Sequence, residues 1–135
     1  PQKQIILDCD VIQADGGTRT ASINGAFISL SIAISKLLKQ KVLKTNPIKD
    51  YVCAISCGIV DQEILLDLDY NEDSSAEVDA NLVLTEKGGI SEIQISGEKS
   101  TFSKDQFLQI HHISEQASRE IFKLQRRILE DEYVF

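Results

Sequence analysis

Residues 14–22, ADGGTRTAS, combine residue types that can hold an anion. They lie between a stretch typical of a strand and one typical of a helix. A helix N-terminus presents unpaired backbone N–H groups and a partial positive charge, and glycines allow a close backbone approach. Thr18 and Arg19 add a hydroxyl and a forked cation, which suit phosphate. The stretch matches neither the GxxxxGK(S/T) loop nor the GxGxxG fingerprint, so a plain turn with a helix cap stays an alternative.

A second candidate is the acidic stretch at residues 67–82, DLDYNEDSSAEVDANL. Ahead of Asn81 it carries seven acidic or amide side chains: Asp67, Asp69, Asn71, Glu72, Asp73, Glu77 and Asp79. Clustered carboxylates repel one another, and a hard divalent cation such as Mg²⁺ relieves this repulsion through oxygen ligands. A metal site is one interpretation, and a solvated acidic loop is the other. The stretch is not an EF-hand, because the required glycine and terminal glutamate are missing.

Hydrophobic periodicity predicts the elements that would position the first candidate. Residues 5–13, IILDCDVIQ, alternate as a strand whose one face is fully apolar. After Gly16 and Gly17, a helix is predicted from the spacing of Ala26, Phe27, Leu30, Ile34, Leu37 and Leu38. The pattern fades in the lysine-rich KQKVLKTNP, which we interpret as a linker.

The remaining sequence predicts two hairpins and a long helix. Two β runs are joined by Asp61 and Gln62, and a second pair by residues 87–89, whose glycines permit a tight turn. Ser103 with Gln106 forms a capping-box pattern at the start of the last helix. Its predicted buried stripe consists of Phe107, Ile110, Ala117, Ile121, Leu124 and Ile128. We therefore expect a four-strand sheet with this helix over one face.

Length and composition predict one compact unit, since the 135 residues are 42% hydrophobic and 26% charged. No apolar run approaches the roughly 18 residues of a membrane helix, and no leader pattern is present, so we expect a cytoplasmic protein without a membrane partner. The three cysteines lack CxxC spacing, which argues against a zinc site or a disulfide framework and favours buried thiols.

The net charge of −7 argues against nonspecific binding of nucleic acid, because such binding depends on Lys and Arg at phosphates. One basic region stands out in the second half of the last helix, at Arg119, Lys123, Arg126 and Arg127. These side chains suit the helix macrodipole and local ion pairs as readily as they suit RNA.

Three blocks occur in order, DCDVIQADGGTRTASINGAF, GIV and DLDYNEDSSAEVDANLVLTEKGGISEIQ. Together they strongly resemble the C-terminal half of the bacterial ribonuclease PH family, in the superfamily of exosome subunits and polynucleotide phosphorylase. The resemblance implies an α/β (α+β) fold with a mixed sheet and helices on one face, like domain 2 of ribosomal protein S5. It also implies that residues 1–48 hold the last strand and helix of a first domain plus a linker, and that residues 49–135 form the C-terminal domain.

The same resemblance implies a phosphorolytic 3′→5′ exoribonuclease that trims transfer-RNA precursors and other RNA 3′ ends. Inorganic phosphate attacks the terminal phosphodiester, and a nucleoside diphosphate leaves. By this resemblance Thr18 and Arg19 bind the phosphate, with the backbone of Gly16 and Gly17 beside them. Asp73 and Asp79 are likewise implied to be metal ligands for Mg²⁺ or Mn²⁺ and acid/base groups. The local cations, rather than the total charge, would then meet the RNA.

The family assembles as a hexameric ring, and its members are roughly twice as long as this chain. We therefore expect a homo-oligomer or a complementary N-terminal half, the chain being a fragment, one product of a split gene or a degenerate relic. Without a covering chain, the first 40 residues would expose an apolar strand face and helix stripe. The alternatives are a non-catalytic structural or assembly module and a generic phosphate-binding or nucleotide-binding domain.

Overall fold

The computed structural model describes residues 4–130. Its elements are α1 (Thr18–Lys39), β1 (Val52–Val60), β2 (Glu63–Leu66), α2 (Tyr70–Ser75), β3 (Val78–Thr85), β4 (Ile90–Gly97) and α3 (Lys104–Glu130). The strands form one sheet in the order β2-β1-β3-β4. The predicted α/β class is confirmed. The described sheet is not the predicted mixed sheet, because all three strand pairings are antiparallel. Two hairpins supply the four strands, and the inner strands β1 and β3 also run antiparallel to each other.

Both predicted hairpins are confirmed. Asp61 and Gln62 have φ values of 50° and 66° and join the paired residues Val60 and Glu63. Two consecutive positive φ angles match the right-handed twist of the strands on either side. Gly88, with φ of 86°, turns the chain between β3 and β4. The predicted division of the chain after residue 48 stays a prediction, and residues 1–3 and 131–135 of the two predicted domains lie outside the described part.

One face of the sheet, here called the core face, is apolar and covered by α3. It consists of Cys53, Ile55, Cys57 and Ile59 on β1 and Val78, Ala80, Leu82 and Leu84 on β3. Ile110 and Phe122 of α3 complete this cluster. The predicted capping box is present: the Ser103 N–H donates to Gln106 Oε1 at 2.8 Å, and the Gln106 N–H donates to Ser103 Oγ at 3.1 Å.

The predicted stripe of α3 is wrong in its second half. Leu124 and Ile128 are 45% and 44% exposed. The buried positions between Ile110 and the end of the described helix are instead Ser114, Ser118, Phe122, Gln125 and Leu129. Serines allow the helix to come close to the sheet, as the 3.5 Å contact between the Ser114 hydroxyl and the Cys57 thiol shows.

The strand predicted over residues 5–13 is wrong, because this segment has no regular structure. Ile6 and Ile12 are 79% and 99% exposed, and Cys9, expected to be buried, is exposed as well. A strand needs a neighbour to satisfy its backbone groups, and within residues 4–130 no strand pairs with this segment. The expected exposed apolar surface is therefore present, although it belongs to an irregular segment.

The helix α1 comes closer to a membrane span than the sequence expectation allowed, since it is long and apolar enough by length and composition. Core helices of globular proteins meet the same criterion. Here Phe27 and Ile34 are buried, and the Asn24 side chain bonds to the sheet. Length and composition alone therefore do not make α1 a membrane helix.

Side chains complete the edge of β1 beyond the end of β2. The pairing with β2 stops at Cys57, so the preceding part of β1 has no strand on that side. The Asn24 amide donates to the carbonyl of Ala54 at 2.9 Å and accepts from its N–H at 2.8 Å. The Gln125 amide donates to the Val52 carbonyl at 2.9 Å. The Asn24 bonds fix α1 against β1 and bring its N-terminal part to the sheet, and the Gln125 bond fixes α3 to the same strand.

Candidate active site

Two glycines place the start of α1 directly on the chain that leads into α2. Gly17 is the N-cap of α1 and has a φ of 66°, a conformation that side chains disfavour. A Cβ atom on Gly16 would lie 1.9 Å from the carbonyl oxygen of Leu68, and one on Gly17 would lie 3.3 Å from Ser56 Cβ. Only glycine fits at position 16, because the obstacle is backbone. We call residues 15–19 the glycine turn.

Asp15 ties the glycine turn to α2. Its Oδ1 atom accepts a hydrogen bond from the Gly16 N–H at 2.9 Å and another from the Tyr70 N–H at 2.6 Å. Tyr70 is the first residue of α2, the helix that carries Asp73. One carboxylate therefore joins the two regions singled out by the sequence. This role was not predicted from the sequence, although an aspartate before two glycines is a typical turn signal.

Thr18 and Arg19 open the first turn of α1, where the backbone N–H groups have no partner within the helix. The Thr18 hydroxyl donates to the Asp15 carbonyl at 3.1 Å. Arg19 Nη2 donates to Glu92 Oε1 at 2.6 Å, and the side chains of this pair are 46% and 41% exposed. A bound phosphate would need the Thr18 donor to turn away from Asp15, while the guanidinium has further donors to offer. The phosphate role of Gly16, Gly17, Thr18 and Arg19 stays a prediction.

Part of the acidic stretch is structural. Asp69 caps α2 by accepting from the Glu72 N–H at 2.9 Å, and the Glu72 carboxylate accepts from the Asp69 N–H at 2.9 Å. This reciprocal pair is a capping box that satisfies the start of a six-residue helix. Two members of the predicted acidic set are therefore engaged in building α2, the short helix that also carries Asp73.

Asp73 and Asp79 do come together, and a third carboxylate joins them. Both line a cleft of about 370 Å³ with Glu98 and Lys99. Burial raises the pKa of Asp79, and the carboxylates of Asp73 and Glu98 raise it further, against a smaller opposite effect of a backbone hydrogen bond at Ala80. Asp79 thus keeps its proton to higher pH than an ordinary aspartate does.

Glu98 was missed by the sequence analysis. It follows β4, and its backbone N–H donates to the Glu77 carbonyl at 2.9 Å, so the hairpin brings it back beside the start of β3. Counting the register outward from the glycines at residues 88 and 89 would have placed Glu98 near Asp79, and this was the available signal.

The residues present fit a cation that is shared with a substrate. Within residues 4–130, no group of three His, Cys, Asp or Glu side chains has the geometry to hold a metal ion. Asp73 and Asp79 provide two hard oxygen donors in one cleft, and their repulsion contributes to the raised pKa of Asp79. Mg²⁺ is commonly held by one or two carboxylates, with waters and substrate phosphates as its other ligands. The pair suits such an arrangement rather than an all-protein cage.

The second face of the sheet, here called the site face, connects the two regions. Two rows of register partners cross it, Ser56–Asn81–Gln94 and Gly58–Asp79–Ser96. The Asn81 amide lies 3.3 Å from Asp79 Oδ2. Glu92, which holds Arg19, pairs with Val83 in a third row. Same-face neighbours along a strand are about 6.7 Å apart, so the Glu92 row and the Asp79 row are separated by about 13 Å. The site face therefore carries both candidate regions, the one around Arg19 and the one around Asp79, but they are not in direct contact.

The basic half of α3 lies outside this arrangement. Lys123 donates to Glu120 at 2.7 Å, and Arg119 lies 3.9 Å from Glu115. Arg126 forms a two-nitrogen pair with Glu86 and lies over the Tyr51 ring, 4.8 Å from its centroid. These contacts agree with the local ion-pair interpretation, and RNA contact at this helix stays a prediction.

The comparisons with known proteins define the class of protein. Residues 50–117 match the model of the 3′ exoribonuclease family, domain 2. This chain belongs to the 3′ exoribonuclease family. Its relatives include Ribonuclease PH of Bacillus subtilis (strain 168), which is 51% identical over 131 residues covering 96% of this chain and 54% of the relative. Ribonuclease PH of Caulobacter vibrioides (strain NA1000 / CB15N) is 52% identical over 125 residues covering 93% and 52%.

The chain therefore spans about half the length of the curated relatives it matches. A similar fold is found in the crystal structure of rice (Oryza sativa) Rrp46, with a TM-score of 0.66. That match has 22% sequence identity and covers 85% of this chain and 49% of the rice chain. At this identity the likeness supports the fold alone.

Proposed function

We propose that this chain is part of a cytoplasmic phosphorolytic 3′→5′ exoribonuclease that trims the 3′ ends of transfer-RNA precursors and of other RNAs. The observation that carries this proposal is the Asp15 bridge, which joins the glycine turn to the helix bearing Asp73. An anion-binding turn and a carboxylate pair are what transfer of an RNA phosphoryl group to inorganic phosphate requires. The relatives named Ribonuclease PH support the same activity.

In this proposal the glycine turn binds the attacking phosphate. Arg19 neutralises part of its charge, and the Thr18 hydroxyl and the N–H groups of the first helical turn fix its orientation. A phosphate oxygen attacks the phosphorus of the terminal phosphodiester, the bond to the 3′ oxygen of the preceding nucleotide breaks, and a nucleoside diphosphate leaves. Holding two anions together in this way is the main task of the site, because each repels the other.

The departing 3′ oxygen needs a proton. Asp79 is the group we assign to supply it, because burial and the neighbouring carboxylates raise its pKa, so it keeps a proton to higher pH than an ordinary aspartate does. Asp73, which is exposed in the same cleft, is assigned with Asp79 to hold Mg²⁺ or Mn²⁺. When bound there, the cation would neutralise charge on the phosphates.

The rest of the site would come from outside residues 4–130. An apolar groove of about 830 Å³ follows α1 and is lined by Phe27, Leu30, Ile34 and Leu37 among others. Together with the exposed Ile6 and Ile12, it supports a complementary N-terminal half or further copies of the chain, such as a hexameric ring, as the cover.

The test is a reconstitution. The chain, alone and mixed with the matching N-terminal half, is incubated with 3′-extended transfer RNA, phosphate and Mg²⁺, and nucleoside diphosphate is measured. We expect phosphate-dependent release from the mixture, its loss on chelation of the metal, and its loss in Arg19→Ala and Asp79→Ala. If the RNA stays intact while the two halves associate, the catalytic proposal is wrong.

A second candidate function is a non-catalytic assembly module. It is favoured by the distance of about 13 Å between the Glu92 row and the Asp79 row, and by the engagement of Arg19 with Glu92. The reconstitution separates the two candidates, since a module would associate with its partner and release no nucleotide.

A further inference from the structure

The pair of Arg19 and Glu92 links two distant segments of the chain. Arg19 lies in the first turn of α1, and Glu92 lies on β4, 73 residues further along. The contact is made by one nitrogen, with Nη2 2.6 Å from Glu92 Oε1. The other nitrogens of Arg19, Nε and Nη1, make no hydrogen bond to any residue in the described range. One side of the guanidinium is therefore held while the rest of its donors stay available.

The Arg19–Glu92 ion pair adds little to the stability of the fold. Both side chains are more than two-fifths exposed, and ion pairs at such positions contribute little to folding. The pair matters more for the position of the Arg19 side chain than for folding, because it holds a long and flexible side chain in one region above the site face. A guanidinium that is ordered beforehand loses less entropy when it binds an anion.

A second arginine pair in the molecule shows the contrast. Arg126 contacts Glu86 through both Nε and Nη2 and lies over the Tyr51 ring. That guanidinium is engaged on one edge and one face. The Arg126–Glu86 pair has the same chemistry as Arg19–Glu92 but lies away from the glycine turn, so it serves as a matched control.

We propose that Glu92 is a positioning residue for Arg19. Its carboxylate holds the guanidinium above the site face, so that the remaining nitrogens meet inorganic phosphate at the glycine turn. This inference rests on the proposed function, since it takes Arg19 to be the phosphate-binding cation. Glu92 acts through Arg19 and touches no substrate.

The test measures the phosphate dependence of nucleotide release in the reconstituted mixture. Glu92→Ala frees the guanidinium, and we expect the KM for phosphate to rise about fivefold, because an exposed ion pair can order Arg19 by no more than about that factor. Glu92→Gln keeps an oxygen acceptor of the same length and should restore a KM within about threefold of the unmodified chain. The control variant Glu86→Ala should leave the phosphate KM unchanged.

The Tm of each variant is measured alongside the kinetics. If Glu92→Ala does not fold, Glu92→Asp replaces it, because the shorter side chain retains its charge and loses its reach. An unchanged phosphate KM in the folded variant overturns this inference, as does an equal rise in Glu86→Ala. If Arg19→Ala also leaves the phosphate KM unchanged, or if the unmodified mixture releases no nucleotide, the proposed function itself fails.

Discussion

The two faces of the sheet are built by alternate residues of the same strands. The core face packs under α3, and the site face carries the candidate site residues. On β3, Val78, Ala80 and Leu82 are fully buried beneath α3. Between them, Asp79 and Asn81 are half-buried on the site face. Because side chains alternate along a strand, neighbouring residues can be assigned to packing and to chemistry separately. Substitutions on the core face should therefore change stability, and those on the site face should change activity.

The glycine turn is the region where this separation fails. Gly16 packs on the backbone of Leu68 and also belongs to the proposed phosphate site. We predict the largest combined effect for Gly16→Ala, because the new Cβ would overlap the Leu68 carbonyl and push the turn from α2. The free energy of unfolding should fall by about 3 kcal/mol, the upper part of the range for overpacking. Phosphate-dependent nucleotide release in the reconstituted mixture should be lost as well.

The matched control for Gly16→Ala is Gly25→Ala, which lies within α1. A Cβ there meets nothing within 4 Å. Because alanine is the better helix former, this variant should gain about 0.5–1 kcal/mol in denaturant unfolding and retain activity. Equal stability of the two variants would contradict the close packing of the turn on Leu68.

The next effect is confined to the core face. Leu82→Ala removes a fully buried side chain and should cost about 2–5 kcal/mol of unfolding free energy. At a temperature where the variant stays folded, the proposed kcat of the reconstituted mixture should be the same with Leu82→Ala as with the unmodified chain. Gln94→Ala, on an exposed site-face position, is the control and should stay within about 0.5 kcal/mol in urea unfolding. A large loss of kcat in folded Leu82→Ala would show that the faces are coupled.

Local sequence signals predicted most of the fold. The turn at Asp61 and Gln62, the glycine hairpin and the capping box at Ser103 each depend on residues a few positions apart, and all three are present. The segment 5–13 was predicted as a strand and is not one, because alternation alone does not supply a neighbouring strand. Leu124 and Ile128 were assigned to the core on hydrophobicity, while serines and Gln125 occupy that side of α3.

The site was predictable to a smaller extent. The glycine turn and the two aspartates were found from their motifs, and the structure places Asp73 and Asp79 in one cleft. Asp15, Glu92 and Glu98 were missed. Each makes its important contact with a segment distant in sequence, such as the 55 residues that separate Asp15 from Tyr70. The contacts of Asp15 and Glu92 follow from the packing of α1, which no local pattern encodes, whereas Glu98 could have been placed by counting the register of its hairpin.

The smallest predicted effect concerns the half-buried carboxylate of Asp79 on the site face. The pKa of Asp79 is raised by burial first and by the Asp73 and Glu98 carboxylates second. The native state therefore binds this proton more tightly than the unfolded chain does. Between the ordinary aspartate pKa and the raised native value, stability must fall as the pH rises, and above the native value the loss stays constant.

Asp79→Asn removes this titration. Its Tm should exceed that of the unmodified chain at neutral pH, and the difference should vanish below the ordinary aspartate pKa, where both side chains are neutral. Glu98→Gln removes only one of the lesser causes, so its Tm gain at neutral pH should be smaller than that of Asp79→Asn. Thermal unfolding across this pH range measures all three proteins. A Tm gain of Asp79→Asn that is equal at acid and neutral pH would show that the site face does not strain this carboxylate, and its assignment as the proton donor would lose its physical basis.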